Sequence, residues 1–227
     1  MPNGKPPTII TLDGPAGAGK STLARRLADA LGFAHLDSGA LYRAVTAALL
    51  DRHIDLSDPA AIDGVARAMS LSTAPGARNI VPQVDGREYD EHLRSPEVAR
   101  AIGAVADRPA VRSSVDAAQR AFAKDRSVVA EGRDEGTVVF PDADWKFYLD
   151  ADVTERARRR QREFLEQGRD IPLNDVARDV AMRDRRDRER PEGALRIPAG
   201  AIRIDTSGRT IEEVLTILRS HLPAGLR

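Results

Sequence analysis

Short apolar runs recur along the chain, and they predict buried β-strands. Residues 8–12, Thr-Ile-Ile-Thr-Leu, are rich in β-branched side chains and lead into a glycine-rich turn. Four later runs are similarly short and apolar, so they predict strands of the same kind. The predicted strands are residues 8–12, 33–36, 127–130, 145–149 and 201–205.

The longer stretches between these runs mix apolar and charged positions, and they predict helices. Asp58 stands where an N-cap is expected before one of them, and Gly32 stops another. Because strands alternate with helices, the pattern indicates an α/β fold around a parallel sheet. The predicted helices are residues 21–31, 41–50, 59–69, 95–106, 108–123, 153–167, 173–190 and 211–218.

The stretch from residue 71 to residue 90 breaks this alternation. Asp85-Gly86 stands between two short runs, which is a β-hairpin signal. We interpret this stretch as part of an insertion in a single folding unit that spans residues 1–227. The predicted parts are a core at about residues 8–57, 109–150 and 200–227, an inserted region at about 58–108, and a charged helical pair at about 153–190.

Composition narrows the classes of function. The chain has 227 residues, of which 41% are hydrophobic, so it can bury a sizeable core. Its 35 basic residues balance 35 acidic ones, which leaves no basic field for binding nucleic acid. It has no cysteine, and its four histidines lack metal-ligand spacing. No apolar run is long enough to span a membrane, so we expect a cytoplasmic protein without a membrane or nucleic-acid partner.

The most specific short motif is a phosphate-binding loop. Residues 14–21 match G-x-x-x-x-G-K-[ST], after a predicted strand and before a predicted helix. Glycines let backbone N–H groups turn toward phosphate oxygens, and Lys20 is expected to reach the β- and γ-phosphates. The Ser21 hydroxyl is expected to ligate Mg²⁺, so the motif predicts ATP or GTP with magnesium. The predicted nucleotide-binding residues are Gly14, Pro15, Ala16, Gly17, Ala18, Gly19, Lys20, Ser21 and Thr22.

The rest of the chain favours a kinase for a small phosphorylated acceptor over other proteins with this loop. A GTPase switch needs an Asn-Lys-x-Asp motif, and none of the three asparagines precedes a lysine. Only four of the 35 basic residues are lysines, and arginine is the better bidentate ligand for phosphate. The arginines that stand in or beside recognisable loops and helices are Arg43, Arg112, Arg133, Arg183 and Arg190.

Five segments together resemble the bacterial type of cytidylate kinase, over about residues 8–218. The most specific are residues 36–43, Leu-Asp-Ser-Gly-Ala-Leu-Tyr-Arg, and residues 131–141, Glu-Gly-Arg-Asp-Glu-Gly-Thr-Val-Val-Phe-Pro. The others are residues 12–20, 108–112 and 183–190. The resemblance implies an α/β P-loop kinase fold with a central parallel five-stranded sheet flanked by helices. It also implies that the insertion belongs to a monophosphate-binding region with a small β-hairpin or sheet, and that the charged helical pair is a lid.

The resemblance further implies transfer of the γ-phosphate of MgATP to CMP or dCMP by a monomeric enzyme. Lys20, Arg133 and Arg183 would be the catalytic residues, and Arg43 with Arg133 would hold the CMP phosphate. Ser38, Arg112, Asp134 and Arg190 would surround the cytosine ring, while Arg183 and Asp187 would lie near the sugar and the transferred phosphate. The spacing of Arg183, Asp187 and Arg190 places them on one helix face.

One position departs from the family pattern. Many relatives carry a serine near the sugar where this chain has Gly103, so the preference between CMP and dCMP stays open. Two alternatives to the interpretation as a cytidylate kinase also remain. One is a kinase for UMP, dTMP or a shikimate-like acid on the same fold. The other is a regulatory P-loop NTPase that signals to a protein partner.

Overall fold

The computed structural model describes residues 6–74, 79–90, 93 and 95–226. Residues 75–78, 91, 92 and 94 of the predicted inserted region lie outside the described residues. The strands are β1 (Ile9–Asp13), β2 (Ala34–Asp37), β3 (Leu71–Thr73), β4 (Pro82–Val84), β5 (Arg87–Glu88), β6 (Val128–Gly132), β7 (Trp145–Asp150) and β8 (Ile202–Asp205). The helices are α1 (Lys20–Leu31), α2 (Ser38–Asp51), α3 (Pro59–Ala68), α4 (Pro96–Ala106), α5 (Pro109–Ala123), α6 (Val153–Glu166), α7 (Leu173–Glu189) and α8 (Ile211–Ser220).

The prediction of a central five-stranded parallel sheet is confirmed, with strand order β2-β6-β1-β7-β8. The chain divides into two compact units, the first formed by residues 1–8 and 33–128 and the second by residues 9–32 and 129–227. The predicted division into core, inserted region and lid follows different boundaries and stays a prediction.

The second unit is organised around β1, β7 and β8. β1 pairs in parallel with β7, and β7 with β8, so apolar side chains from neighbouring strands pack together. Ile10, Leu12, Phe147 and Leu149 are fully buried there. Their burial removes apolar surface from water, which is the main stabilising term for such a sheet. The carboxyl ends of these parallel strands meet at one edge, where the phosphate-binding loop follows β1.

Helices α6 and α7 form an antiparallel pair within the second unit. Ala157 packs against Val176 and Val180 in a small apolar cluster that is almost completely buried. The partly buried side chains that surround this cluster are Phe164, Ile171, Leu173 and Ala177. The pair therefore has a hydrophobic seam of its own, although most of its other residues are charged.

The first unit holds the small antiparallel sheet β3-β4-β5. The predicted hairpin is confirmed: β4 and β5 are joined at Asp85 and Gly86, both of which have positive φ angles, of 50° and 80°. Positive φ at both turn positions matches the twist of a two-residue hairpin. β3 was not predicted, because three residues are too few to show an alternating pattern.

Side-chain caps fix several helix starts in the first unit. Asp58 accepts hydrogen bonds from the backbone N–H groups of Ala60 and Ala61, which confirms its predicted role as the N-cap of α3. Asp37 accepts from Ala40 N at 3.1 Å, and α2 therefore begins at Ser38, three residues earlier than predicted. The cap outweighed the weak helical preference of Ser38 and Gly39.

The strand predicted at residues 127–130 ends too early. β6 continues to Gly132, and Glu135–Val139 forms one wide helical turn. The backbone oxygen of Asp134 accepts from the N–H groups of Val138 and Val139, at 2.8 Å and 3.3 Å. Such a turn is too short to have a recognisable period in the sequence. Helix α7 ends one residue before its predicted end, so Arg190 has an extended backbone.

Candidate active site

The phosphate-binding loop lies between the end of β1 and the start of α1. Gly14 has a φ of 150°, and a Cβ there would lie 2.0 Å from the carbonyl oxygen of Leu149, so only glycine fits. At the other end, Gly19 is the N-cap of α1 and provides no side-chain hydrogen bond. The first N–H groups of α1 are therefore not capped by that residue, which suits a helix end that binds an anion.

Lys20 is the first residue of α1, and its side chain is buried. Its Nζ donates to the carbonyl oxygen of Pro15 at 2.8 Å. The pKa of Lys20 is lowered from 10.5 to about 7, chiefly by burial and also by the nearby positive charges of Arg133 and Arg183. The Glu131 and Asp13 carboxylates partly oppose this shift. Lys20 is thus a cation held in a place that disfavours its charge until a polyanion binds.

This pKa shift gives a testable dependence of stability on pH. Between pH 7 and pH 10.5 the unfolded chain binds more protons at Lys20 than the folded protein does. The free energy of unfolding should therefore rise with pH in this window, by up to about 1.4 kcal/mol per pH unit. Urea unfolding of the wild type and of Lys20→Met at pH 6, 7, 8 and 9 isolates this contribution. A difference between the two proteins that stays constant with pH would contradict the assignment.

Asp13 is a site residue that the sequence prediction missed. It is fully buried at the end of β1, and its two oxygens accept hydrogen bonds from the N–H groups of Glu135 and Gly136, each at 2.8 Å. Burial raises the pKa of Asp13 to about 6, although these two hydrogen bonds lower it. The carboxylate therefore holds the loop that carries Arg133 and Asp134. An acid directly before Gly14, at the end of an apolar strand, was the available signal.

Three predicted substrate-binding residues of the second unit are joined in one ionic cluster. Arg133 Nε donates to Asp187 Oδ2 at 2.7 Å, and Arg190 Nη2 donates to Asp187 Oδ1 at 2.6 Å. The side chain of Asp187 is 6% exposed. Its burial would raise its pKa, but the charge and hydrogen bond of Arg133, with the charges of Arg190 and Arg183, outweigh that effect and hold the pKa below the usual value. Asp187 is thus an ionised acceptor that fixes two guanidinium groups.

Arg183 and Asp134 belong to the same unit. The charge of Arg183 lowers the pKa of both Lys20 and Asp187. Asp134 is buried at 4% exposure, and its charge raises the pKa of Asp13. Lys20, Arg133, Asp134, Arg183, Asp187 and Arg190 are therefore all tied electrostatically or by hydrogen bonds to this part of the second unit.

The other predicted substrate-binding residues lie in the first unit. Ser38 is buried at the first position of α2, and Arg43 on the next turn donates to Asp37 Oδ2 at 2.7 Å. Asp37 therefore both caps α2 and orients Arg43. Arg112 of α5 is buried, and its guanidinium lies over the ring of Tyr42, 5.6 Å from the centroid. A planar cation stacked on an aromatic ring is held in a fixed orientation.

Arg156 is a second feature that the sequence prediction missed. The Arg-rich segment of α6 was expected to be part of a lid, yet Arg156 is 1% exposed. It forms a two-pronged ion pair with Asp184 of α7, at 3.0 Å and 2.6 Å. The partner lies 28 residues away in the chain, beyond the reach of any local pattern.

The residues present suit a magnesium ion bound together with a nucleotide. Ser21 is exposed on the first turn of α1, and its hydroxyl is an oxygen donor of the kind that Mg²⁺ prefers. Within residues 6–74, 79–90, 93 and 95–226, no three His, Cys, Asp or Glu side chains are grouped to hold a metal by themselves. Among the same residues, no helix combines the length and the apolar composition needed to cross a membrane.

Comparisons with known proteins agree with the motifs. A family model described as cytidylate kinase matches residues 10–222. The cytidylate kinase of Caldanaerobacter subterraneus subsp. tengcongensis is 43% identical over 206 residues, covering 91% of this chain and 90% of that protein. The cytidylate kinase of Rhodopirellula baltica is 43% identical over 220 residues, covering 95% and 94%.

A Synechococcus protein named bifunctional pantoate ligase/cytidylate kinase is 44% identical over 91% of this chain, which corresponds to 39% of that longer protein. A solved structure, TT1252 from Thermus thermophilus, is similar with a TM-score of 0.47 and 18% identity, over 97% of this chain and 100% of that one, and supports no argument about function. The family model and the relatives confirm the resemblance inferred from the motifs, and the chain belongs to the cytidylate kinase family.

Proposed function

We propose that this protein transfers the γ-phosphate of MgATP to CMP or dCMP, giving ADP and CDP or dCDP. The observation that carries the proposal is the arrangement in the second unit, where the phosphate-binding loop with its buried Lys20 shares an electrostatic environment with Arg133, Arg183 and Asp187. A cluster of arginines beside such a loop suits a second phosphorylated substrate. Membership of the cytidylate kinase family supports the same reaction.

The chemistry needs no general base. The acceptor oxygen belongs to a phosphate monoester whose second pKa is about 6, so it is largely ionised at neutral pH. The difficulty is to bring two polyanions together, and catalysis is then charge neutralisation and alignment for in-line transfer. Lys20 would bind the β- and γ-phosphates, while Arg133 and Arg183 would neutralise the acceptor and the transferred group. Mg²⁺, held by Ser21 and the ATP phosphates, would neutralise further charge on the phosphate oxygens.

The proposed roles at CMP follow from the chemistry of cytosine. Its N4 amino group donates, whereas N3 and O2 accept, so Asp134 and the Ser38 hydroxyl suit N4 and arginines suit N3 and O2. Arg112 and Arg190 would contact the base, and Arg43 with Arg133 would hold the phosphate. Asp187 would lie near the sugar while it orients Arg133 and Arg190. The residues 153–190 would act as a lid that keeps water from the reaction.

An assay of ADP release with MgATP and one acceptor at a time tests the proposal. We expect CMP and dCMP to be the best acceptors among CMP, dCMP, UMP, AMP, GMP, dTMP and shikimate. UMP presents an oxygen where cytosine presents N4, so it would face Asp134 oxygen to oxygen. Because an unpaired buried polar group costs about 1–3 kcal/mol, kcat/KM for UMP should be lower by about tenfold or more.

Other outcomes of this panel would change the proposal. If another acceptor is clearly preferred, the base-reading roles of Ser38, Arg112, Asp134 and Arg190 are wrong. If ATP is hydrolysed and no acceptor is phosphorylated, the protein is a regulatory NTPase instead. The ratio of CMP to dCMP turnover, compared between the wild type and Gly103→Ser in α4, reports the effect of the missing serine. The family resemblance further supports a monomeric, cytoplasmic enzyme without a nucleic-acid partner, and light scattering in solution tests the monomer.

A further inference from the structure

Four successive carbonyl oxygens of the phosphate-binding loop accept hydrogen bonds from side chains. Lys20, the first donor, belongs to the loop motif itself, but the other three donors come from α6 and from the residue after β8. The bonds are Lys20 Nζ to Pro15 O at 2.8 Å, Arg156 Nη1 to Ala16 O at 3.1 Å, Arg159 Nη1 to Gly17 O at 3.4 Å, and Thr206 Oγ1 to Ala18 O at 3.2 Å. Each peptide unit from Pro15 to Gly19 is therefore held by its oxygen.

The direction of a carbonyl oxygen fixes the direction of the next N–H group. A trans peptide unit is planar, and its oxygen and its hydrogen point to opposite sides. Side chains that hold the oxygens of Ala16, Gly17 and Ala18 on one side of the loop therefore turn the N–H groups of Gly17, Ala18 and Gly19 to the other, although the Ala18 N–H also donates to Pro15 O in a long hydrogen bond of 3.4 Å. Backbone N–H groups turned inward in this way form a concave anion site, which is how such a loop holds phosphates.

The hydrogen bonds of Arg156 hold its guanidinium group against the phosphate-binding loop. Its guanidinium donates to Ala151 O at 2.9 Å and to both oxygens of Asp184, in addition to Ala16 O. All three of its nitrogens donate to protein groups, and the residue is buried. A Cβ added to Gly17 would lie only 3.0 Å from the Cβ of Arg156, and Gly17 has a φ of 79°. The loop is thus packed directly against the start of α6.

Arg159 has a similar arrangement one turn further along α6. Its Nε donates to Glu155 at 3.1 Å, and its Nη2 donates to Thr206 O at 2.6 Å. Its Nη1 contacts Thr206 Oγ1 at 3.0 Å as well as Gly17 O. Because the Thr206 hydroxyl accepts from Arg159, its own hydrogen is directed to Ala18 O. Arg159 and Thr206 therefore act as one support for two neighbouring peptide units.

We propose that Arg156 and Arg159 are positioning residues that orient the peptide units of the phosphate-binding loop, so that triphosphate affinity depends on two α6 guanidinium groups that act through the loop. This inference rests on the proposed function of that loop. It differs from a role for the α6 arginines as lid residues over the substrates, because the donors are engaged with loop carbonyls and with Asp184, Glu155 and Thr206.

The test is the affinity for inorganic tripolyphosphate, which has no base or sugar, measured by calorimetry on the whole protein. Arg159→Lys keeps the positive charge but cannot reach Gly17, Thr206 and Glu155 together. We expect tripolyphosphate and MgATP to bind about tenfold or more weakly, the size of one lost hydrogen bond to a charged group, with unchanged CMP affinity. The matched control is Arg160→Lys, whose guanidinium pairs with Glu163 and stacks on Phe164 at 4.5 Å, and whose affinities should not change.

Two results would overturn the inference. Unchanged tripolyphosphate affinity in Arg159→Lys is one, and weaker ATP binding with normal tripolyphosphate binding is the other, since it would place Arg159 against the nucleoside. Thr206→Val, which keeps the side-chain shape, provides a second variant and should weaken tripolyphosphate binding in the same direction. Melting temperatures of all variants separate a loss of fold from a loss of loop geometry.

The same experiment separates this inference from the proposed function. If the wild type binds tripolyphosphate and the variants do so less well, but CMP is not phosphorylated, the kinase proposal fails and the positioning role stands. If the wild type phosphorylates CMP while Arg159→Lys and Thr206→Val bind tripolyphosphate normally, only the positioning role fails. A wild type that binds no polyphosphate would overturn both.

Discussion

Lys20→Met is expected to lower kcat for CMP phosphorylation by a factor of about 10²–10³, the effect of removing one preorganised charge-stabilising donor. The fold should survive, because the lysine is buried in a place that disfavours its charge and donates to Pro15 of its own loop. Methionine retains most of the side-chain stem and needs no desolvation. The melting temperature at pH 7 should therefore be equal to that of the wild type or higher.

Lys124→Met is the matched control, since Lys124 is an exposed lysine just after α5. Its kcat and melting temperature should stay close to those of the wild type. Steady-state kinetics with MgATP and CMP, with circular dichroism for the fold, provide the measurement. Near-normal turnover in Lys20→Met would contradict the proposed catalytic role of Lys20.

Asp187→Asn should have two effects: it should lower the free energy of unfolding and raise the KM for CMP. The buried carboxylate accepts from Arg133 and Arg190, and the loss of its charge removes a counter-ion that these two guanidinium groups share. Removing one partner of such a buried ion pair costs about 3–5 kcal/mol of unfolding free energy. The KM for CMP should rise more than the KM for MgATP, because the arginines that Asp187 orients are those proposed to hold CMP.

The pH dependence of this loss has a definite sign. The folded pKa of Asp187 lies below its ordinary value of 3.8, so its contribution to stability is present above that value and is lost as the pH falls through the folded pKa. The stability difference between wild type and variant should be constant from pH 5 to pH 8 and shrink only in stronger acid. Asp179→Asn, at an exposed position of the same helix, is the control. An equal loss in both variants would show that Asp187 has no special role.

Local patterns predicted most of the fold. The five core strands and eight helices come from runs of residues whose apolar spacing, caps and glycines agree with each other, as in α3, which follows Asp58 and ends near residue 69. The failures fall where local signals are weak. β3 has three residues, and the turn at Glu135–Val139 depends on backbone bonds to Asp134 and on the Asp13 carboxylate far away in the chain.

The parts of the candidate site that belong to a sequence motif could be predicted. The loop at residues 14–21 and the segments around Arg43 and Arg133 are recognisable because their residue types are required in a fixed order. The supporting residues are less visible. In the sequence, Arg156 looks like any other arginine of a charged helix. Only the folded structure shows that its guanidinium donates to Ala16 O and to the Asp184 carboxylate. Because arginines are usually exposed to solvent, the sequence alone predicts an exposed side chain for Arg156, which is in fact buried.

The division of the second unit into two chain segments affects the order in which the protein is completed during synthesis. β1 and the phosphate-binding loop are made before the N–H groups that donate to Asp13, which follow that residue by 122 and 123 residues. Strand β7, which pairs with β1, is also made only after residue 128. Closing a segment of this length costs entropy that grows slowly with its size, so the delay comes mainly from translation. A nascent chain therefore carries the phosphate-binding loop while at least the 122 residues after Asp13 are added, before that loop has the partners that shape it.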